Sequence, residues 1–225
     1  AAQHPCQPLE HDVAGVVVKV GKRVQQFKAG DEVYARADDF RIGTFAEFIP
    51  VKESSLALKP TMLTMEEAAS LPLVGLTAWQ ALVERAALKK GQSVFIQAGS
   101  GGVGTLAIQS SRQLGARVAT TTGTANTELV RRLGADTVID YKTQDFEDLL
   151  RDQDVVLNSQ DGQTLKKSLR VLKPGGKLIS ISGPSTISGT TSTDANDVCL
   201  RAFESNGDMR TSLCTPRSTF RLPYA

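Results

Sequence analysis

The stretch Ser93-Val-Phe-Ile-Gln-Ala-Gly-Ser-Gly-Gly-Val-Gly104 decides the fold of this chain. It begins with an apolar run and continues into a turn with four glycines among its last six residues. The next segment, Thr105 to Leu114, places apolar side chains at helical spacing, and Gly115 is suited to end a helix. The pattern therefore predicts a β-strand, a glycine turn and an α-helix in that order.

A G-x-G-x-x-G pattern that closes a strand and opens a helix indicates a dinucleotide site. Gly99 would allow the tight turn, Gly101 would let the backbone approach a pyrophosphate, and Gly104 would let the helix pack closely on the strand. Free N–H groups at the helix start would then bind the phosphates. A glycine turn without a ligand is the structural alternative, whereas a P-loop is excluded because no Gly-Lys-Ser/Thr follows. We predict that Gly99, Ser100, Gly101, Gly102, Val103 and Gly104 bind the cofactor.

The next predicted strand, Arg117 to Thr122, bears on the choice of nucleotide. In this type of site an acidic residue about 20 positions after the glycines binds the ribose hydroxyls of NAD. Here the strand ends in three threonines, Thr120 to Thr122, followed by Gly123. A carboxylate would repel a 2′-phosphate, so its absence from this segment favours NADP over NAD. Threonine also simply suits a strand end, which leaves NAD open.

Composition excludes several classes of function. The 225 residues are enough for one large domain or two modest ones. A net charge of +2 does not indicate nucleic acid or a membrane as partner, and no apolar run is as long as a membrane span. Three widely spaced cysteines, Cys6, Cys199 and Cys214, do not indicate a disulfide framework. We expect a cytoplasmic protein with neither nucleic acid nor membrane as partner.

The segment before the glycine turn predicts a small antiparallel β unit. Strands are expected over Val13 to Val20, at Val33 to Ala35 and around Phe45 to Val51, separated by glycine turns. Thr64 and Glu67 form the sequence signature of a capping box at a helix start. A second helix is expected over residues 75–86.

The segment after the glycine turn alternates between strand and helix patterns, which indicates a parallel sheet with helices on both faces. Five strands are predicted in this sheet, the first being residues 93–98. Further strands are expected over Arg117–Thr122, Thr137–Asp140, Asp154–Asn158 and Lys177–Ile181, and helices over Thr127–Leu133, Gln144–Arg151 and Gln163–Leu172. Beyond Pro184 the chain is rich in Ser and Thr and predicts an irregular or disordered tail without a sixth strand.

Seven motifs in order resemble the medium-chain dehydrogenase/reductase superfamily, and most closely its zinc-independent quinone oxidoreductase and enone reductase branch. They are His11-Asp-Val-Ala-Gly15, Gly30-Asp-Glu-Val33, Gly43-Thr-Phe-Ala-Glu47, Leu73-Val-Gly-Leu-Thr-Ala78, Ala98 to Gly104, Leu133-Gly-Ala-Asp136 and Leu172-Lys-Pro-Gly-Gly176. The resemblance implies an α/β fold in which a partial GroES-like catalytic β domain, residues 1–60, precedes a Rossmann domain with a doubly wound parallel sheet, residues 61–184. Residues 185–225 would form the tail.

The resemblance also implies the roles of individual residues. The glycine turn would hold the pyrophosphate of NADPH, and the other implied cofactor-binding residues are Thr77 near the nicotinamide ribose, Thr121 and Thr122 at the adenosine ribose, Tyr141 beside the 2′-phosphate, and Asn158, Ser182 and Gly183 along the cofactor. Relatives often carry a lysine just after the second strand of this domain. This chain has Thr124-Ala-Asn-Thr127 there.

The implied reaction is hydride transfer from NADPH to a small quinone or α,β-unsaturated carbonyl compound without a metal ion. No catalytic acid or base is identified. His11 lies where zinc-dependent members have a ligand histidine, but only His4 and Cys6 lie near it in the sequence. Zinc needs three protein ligands, so we predict no metal site.

Two alternatives remain. Family chains usually begin before His11 and extend beyond Pro184, where they form the last Rossmann strand and a dimer contact. The chain would then be a truncated, catalytically impaired nucleotide-binding relative whose fifth strand is an unpaired edge, and a homodimer is left open. The other alternative is an S-adenosylmethionine methyltransferase, but such enzymes usually carry an acid where Thr122 stands.

Overall fold

The computed structural model describes residues 11–37, 43–160, 162–182 and 201–204 of the chain. These residues divide between two compact units. The first unit extends to Leu76, and the second begins at Thr77.

The first unit contains a three-stranded antiparallel sheet in the order β1-β2-β3. Its strands are β1 Asp12–Val16, β2 Glu32–Arg36 and β3 Leu56–Leu58. Two alternate residues of β2, Val33 and Ala35, are buried. The antiparallel β unit predicted from the short strands is therefore present.

The third strand differs from the prediction, which placed it around Phe45 to Val51. Phe45 and Phe48 are 77% and 72% exposed, so they do not form a core-facing row, and Pro50 has no N–H group for a sheet. The strand instead follows a 3₁₀ turn, Glu53–Ser55. The Glu53 carboxylate accepts hydrogen bonds from the backbone N–H groups of residues 25 and 26, at 2.8 and 2.5 Å, and so holds that turn in place.

Two helices follow β3. Helix α1, Met65–Ala69, begins with the predicted capping box: the Glu67 N–H donates to the Thr64 hydroxyl at 3.1 Å, and the Thr64 N–H donates to the Glu67 carboxylate at 2.9 Å. Helix α2, Pro72–Trp79, starts three residues earlier than predicted because proline is favourable in a first helical turn. It continues into a π-helical segment, Gln80–Arg85.

The second unit is a doubly wound sheet in the order β6-β5-β4-β7-β8-β9. Its strands are β4 Ser93–Ile96, β5 Arg117–Thr122, β6 Thr137–Asp140, β7 Gln153–Asn158, β8 Leu172–Ser180 and β9 Arg201–Glu204. Its helices are α3 Gly102–Gln113, α4 Thr127–Arg132, α5 Phe146–Leu149 and α6 Gly162–Arg170. All pairs from β6 to β8 are parallel. The predicted α/β fold class is confirmed.

Each face of this sheet has its own core. Val94 and Ile96 of β4 lie in one cluster with Ile108 of α3 and Val130 of α4. Phe95, between them in sequence, lies in a second cluster that includes residues of α5 and α6. Its ring centroid is 4.8 Å from that of Phe146. Because successive strand residues point to opposite faces, β4 is buried on both sides.

The prediction of a sheet that ends at the fifth strand is wrong. Strand β9 pairs antiparallel with β8, with Leu178 opposite Phe203 and Ser180 opposite Arg201. The fifth strand is therefore not an unpaired edge. No sequence pattern indicated β9, because four residues inside an aperiodic segment show no alternation long enough to recognise.

Asp154 joins three strands at the edge of the sheet where β4 begins. Its carboxylate accepts hydrogen bonds from the Ser93 N–H at 2.8 Å and the Ser93 hydroxyl at 2.9 Å, and it pairs with the Lys173 ammonium group. Partial burial opposes the charge, but the hydrogen bonds from Lys173 and Ser93 outweigh it and lower the pKa of Asp154 to about 2.

We expect Asp154→Asn to reduce the free energy of unfolding at pH 7 by about 2 kcal/mol. The folded-state pKa lies below the unfolded value, so this stabilisation is present above about pH 4 and is lost as the pH falls through 2. Urea denaturation at pH 7 and pH 3 measures it, with the exposed Asp148→Asn as the control. Equal stability of the two variants at pH 7 would contradict the prediction.

Candidate dinucleotide-binding site

The candidate site lies where the strand order of the sheet reverses. β4 has β5 on one side and β7 on the other, and both neighbours run parallel to it. Ligands of open α/β sheets bind outside the carboxyl ends of the strands at such a switch point. The chain that leaves β4 here is the glycine turn, and it leads directly into α3.

Close packing, rather than an unusual backbone angle, requires two of the glycines. Ala98 is the left-handed residue of the turn, with φ of 51°, while Gly99 and Gly104 have no positive φ. A Cβ on Gly104 would lie less than 3.0 Å from the Ala98 carbonyl oxygen and 2.8 Å from Gly99 Cα. A Cβ on Gly99 would collide with the Thr120 hydroxyl. The start of α3 is thus packed directly against the end of β4.

The first turn of α3 presents free donors. Gly101 is the N-cap residue and offers no side-chain cap. Within the described part of the chain, the N–H groups of Gly102, Val103 and Gly104 donate to no acceptor outside the helix, as expected for the first residues of a helix. A pyrophosphate fits this place, because the glycines leave room for it and the helix dipole favours its charge.

The two threonines expected at the adenosine ribose contact the glycine turn itself. The Thr121 hydroxyl accepts a hydrogen bond from the Ala98 N–H at 3.1 Å, and the Thr122 hydroxyl donates to Ser100 Oγ at 2.9 Å. Both threonine side chains are buried. Asn126 Nδ2 also donates to Ser100 Oγ, at 3.4 Å. The end of β5 therefore holds the turn in its shape.

The end of β6 brings an acidic residue that sequence reasoning missed. Asp140 is paired in register with Thr122, so both strands end at the same edge. Its carboxylate accepts from the Thr124 hydroxyl and from the Lys142 N–H, and these hydrogen bonds lower the pKa of Asp140. No acidic residue follows β5 directly in the sequence, but Asp140 lies next to the end of β5 in the structure. Only the register between β5 and β6, which the sequence alone does not show, brings Asp140 to this place.

Tyr141, the residue expected beside the 2′-phosphate, is exposed at the same edge. Its backbone N–H donates to the Thr122 carbonyl at 3.2 Å. Its hydroxyl lies 3.6 Å from where a Cβ on Gly123 would be. The side chain is therefore available to a ligand at the end of β5.

The ends of β7 and β8 are joined by a buried polar network. Asn158 Nδ2 lies within hydrogen-bond distance of the Gln160 carbonyl and of the hydroxyls of Ser180 and Ser182, at 3.0, 3.1 and 3.3 Å. Its Oδ1 is buried and has no partner among the described residues, and the same holds for Gln97 Oε1 at the end of β4. Unpaired buried acceptors are costly, so their presence at the switch point suits a site that a polar ligand completes.

The remaining predicted site residues are placed less fully. Thr77 lies half-buried on α2, and its role at the nicotinamide ribose stays a prediction. Gly183 lies outside the described residues, as do His4 and Cys6. Among the residues that are described, no three His, Cys, Asp or Glu side chains are grouped so that they could hold a metal ion. The helices of the described ranges include none with the length and hydropathy of a membrane span.

We expect Gly104→Ala to destabilise the protein by about 1 to 3 kcal/mol. Alanine normally stabilises a helix relative to glycine, so a loss would show that the contact with the Ala98 carbonyl dominates. Gly101→Ala is the matched control in the same turn, because its Cβ would meet only the Ala98 oxygen, at 3.3 Å. Urea denaturation compares them, and a stabilised Gly104→Ala variant would contradict the packing argument.

Comparisons with known proteins agree with this architecture. Residues 1–61 match the alcohol dehydrogenase GroES-like domain, and residues 102–221 match the zinc-binding dehydrogenase family. The chain is 42% identical over 187 residues to the 2-methylene-furan-3-one reductase of Solanum lycopersicum, covering 80% of this chain and 47% of the relative. It is also 42% identical over 187 residues to a chloroplastic NADPH-dependent alkenal/one oxidoreductase of Arabidopsis thaliana, covering 80% and 48%.

Solved structures give the same result. The quinone oxidoreductase of Coxiella burnetii superposes with a TM-score of 0.73 at 34% identity, covering 78% of this chain and 56% of that one. The chain spans about half the length of the curated relatives it matches. The family matches, the sequence identities and the presence of both a doubly wound sheet and an antiparallel β unit show that the chain belongs to the medium-chain dehydrogenase/reductase superfamily.

Proposed function

We propose that the chain is part of an NADPH-dependent oxidoreductase that transfers hydride to a quinone or an α,β-unsaturated carbonyl compound without a metal ion. The observation that carries the proposal is the glycine turn at the switch point, with free N–H groups at the start of α3. Relatives named as an NADPH-dependent alkenal/one oxidoreductase and a quinone oxidoreductase support the cofactor and the substrate class.

Different described residues would bind different parts of the cofactor. The N–H groups of residues 102–104 would bind the pyrophosphate, and the glycines would let it approach the backbone. The edge formed by β5 and β6 would hold the adenosine end, while Asn158 and Ser182 would line the nicotinamide end. NADPH supplies the hydride when bound, so the protein contributes binding, orientation and the exclusion of water.

The proposal extends to domain roles and location. Residues 61–184 would be the NADPH-binding domain and residues 1–60 part of the catalytic domain. Thr77 and Gly183 are proposed as further cofactor contacts. We propose the cytoplasm as the location, although one relative is chloroplastic by name.

Titration with NADPH and NADH, followed through Trp79 fluorescence, tests binding. We expect NADPH to bind and its oxidation to accelerate when a quinone or an enone is added. Gly101→Ala is the informative variant: it should keep its stability yet weaken NADPH binding at least about tenfold, because its new methyl group would occupy the pyrophosphate position.

Three outcomes would contradict the proposal in different ways. NADPH binding without turnover would indicate an impaired nucleotide-binding relative. Turnover that a chelator abolishes, or chelator-sensitive alcohol oxidation, would contradict the metal-free reaction. Thermal stabilisation by S-adenosylmethionine and none by NADPH would indicate a methyltransferase.

A further inference from the structure

We propose that Lys142 is the cation that holds the 2′-phosphate of NADPH and makes this site select NADPH over NADH. This inference rests on the proposed function, and it names a residue that the sequence pattern did not point to. The segment directly after β5, Thr124 to Thr127, contains no basic residue. The structure supplies one from the turn that follows the neighbouring strand, β6.

The position of Lys142 follows from the strand register. β5 and β6 run parallel with Thr122 opposite Asp140, so the chain leaving β6 arrives at the end of β5. Lys142 Cε lies 3.6 Å from where a Cβ on Gly123 would be. In doubly wound dinucleotide folds, the residues at the end of the second strand contact the 2′ position of the adenosine ribose. The Lys142 side chain therefore reaches the place where NADPH and NADH differ.

The charge of Lys142 is available for a ligand. Its side chain is exposed, and among the residues that the structure describes no carboxylate forms an ion pair with it. Lys59, Lys167 and Lys173, in contrast, are each paired with an acidic side chain. Lys142 attracts the nearby Asp140 carboxylate electrostatically but forms no ion pair with it, so it can contact a phosphate without breaking one.

Asp140 is the carboxylate that must be accounted for, because an anion here would repel a phosphate. Both of its oxygens are engaged: one accepts from the Thr124 hydroxyl, and the other accepts from the Lys142 N–H at 3.0 Å. The carboxylate is thus held against the backbone of the turn. Its contacts fix the segment that presents Lys142 at the end of β5.

Gly123 and Tyr141 complete the subsite. The φ of Gly123 is −83°, a value open to any residue, so its backbone angle does not demand glycine. A Cβ there would instead point between the Tyr141 hydroxyl and Lys142 Cε, each 3.6 Å away. A neutral donor and the side chain of a cation therefore lie beside the Gly123 backbone, and this pair suits the oxygens and the charge of a phosphomonoester.

The test compares the Kd values of NADPH and NADH for the wild-type chain, Lys142→Gln, Lys142→Arg and Lys166→Gln. Lys166 is exposed on α6 and controls for the loss of one positive charge. We expect Lys142→Gln to weaken NADPH binding by about tenfold or more and to leave NADH unchanged, because one charge-assisted contact is lost. Lys142→Arg should retain the preference, and Lys166→Gln should bind like the wild type.

A second readout uses fragments, with 2′,5′-ADP and 5′-AMP as competitors of NADPH. Lys142→Gln should weaken only 2′,5′-ADP. An unchanged NADPH Kd, or an equal loss for both nucleotides, would overturn the assignment while the proposed function stands. A wild-type chain that binds neither nucleotide would overturn the proposed function and this inference together.

Discussion

The close approach of α3 to the end of β4 is the constraint on which the rest of the second unit depends. Gly104 is packed so tightly against Ala98 and Gly99 that no side chain fits between helix and strand. This contact directs the helix N-terminus at the switch point and places Ile108 of α3 in the core with Val94 and Ile96. This contact therefore determines both the packing of one sheet face and the position of the free N–H groups at the start of α3.

Much of this arrangement could be predicted because local sequence determines it. The glycine turn, the bounds of Arg117–Thr122 and Thr137–Asp140, and the capping box at Thr64 all depend on residues within a few positions of one another. Buried parallel strands also produce continuous apolar runs that alternate with helical periodicity. Such signals do not require knowledge of the partner strand.

The features that sequence reasoning missed all depend on distant partners. β9 is defined by its pairing with β8. β3 follows a 3₁₀ turn whose Glu53 carboxylate binds a backbone N–H 28 residues earlier in the chain, rather than beginning in the predicted aromatic segment. Asp140 and Lys142 join the candidate site through the register between β5 and β6. A linear pattern does not contain these relations, so the sequence alone did not show that Asp140 and Lys142 lie at the end of β5.

The left-handed conformation of Ala98 has a consequence for how a nucleotide would be received. An L-residue with a Cβ is less stable in this region than glycine, by about 1 kcal/mol, so the surrounding contacts must enforce the conformation. Its N–H is held by the Thr121 hydroxyl, and its carbonyl accepts from the Gly101 N–H at 2.9 Å. Contacts within the protein itself therefore hold the glycine turn in its shape. Little loop entropy would be lost on association, and the phosphates would meet a rigid receptor.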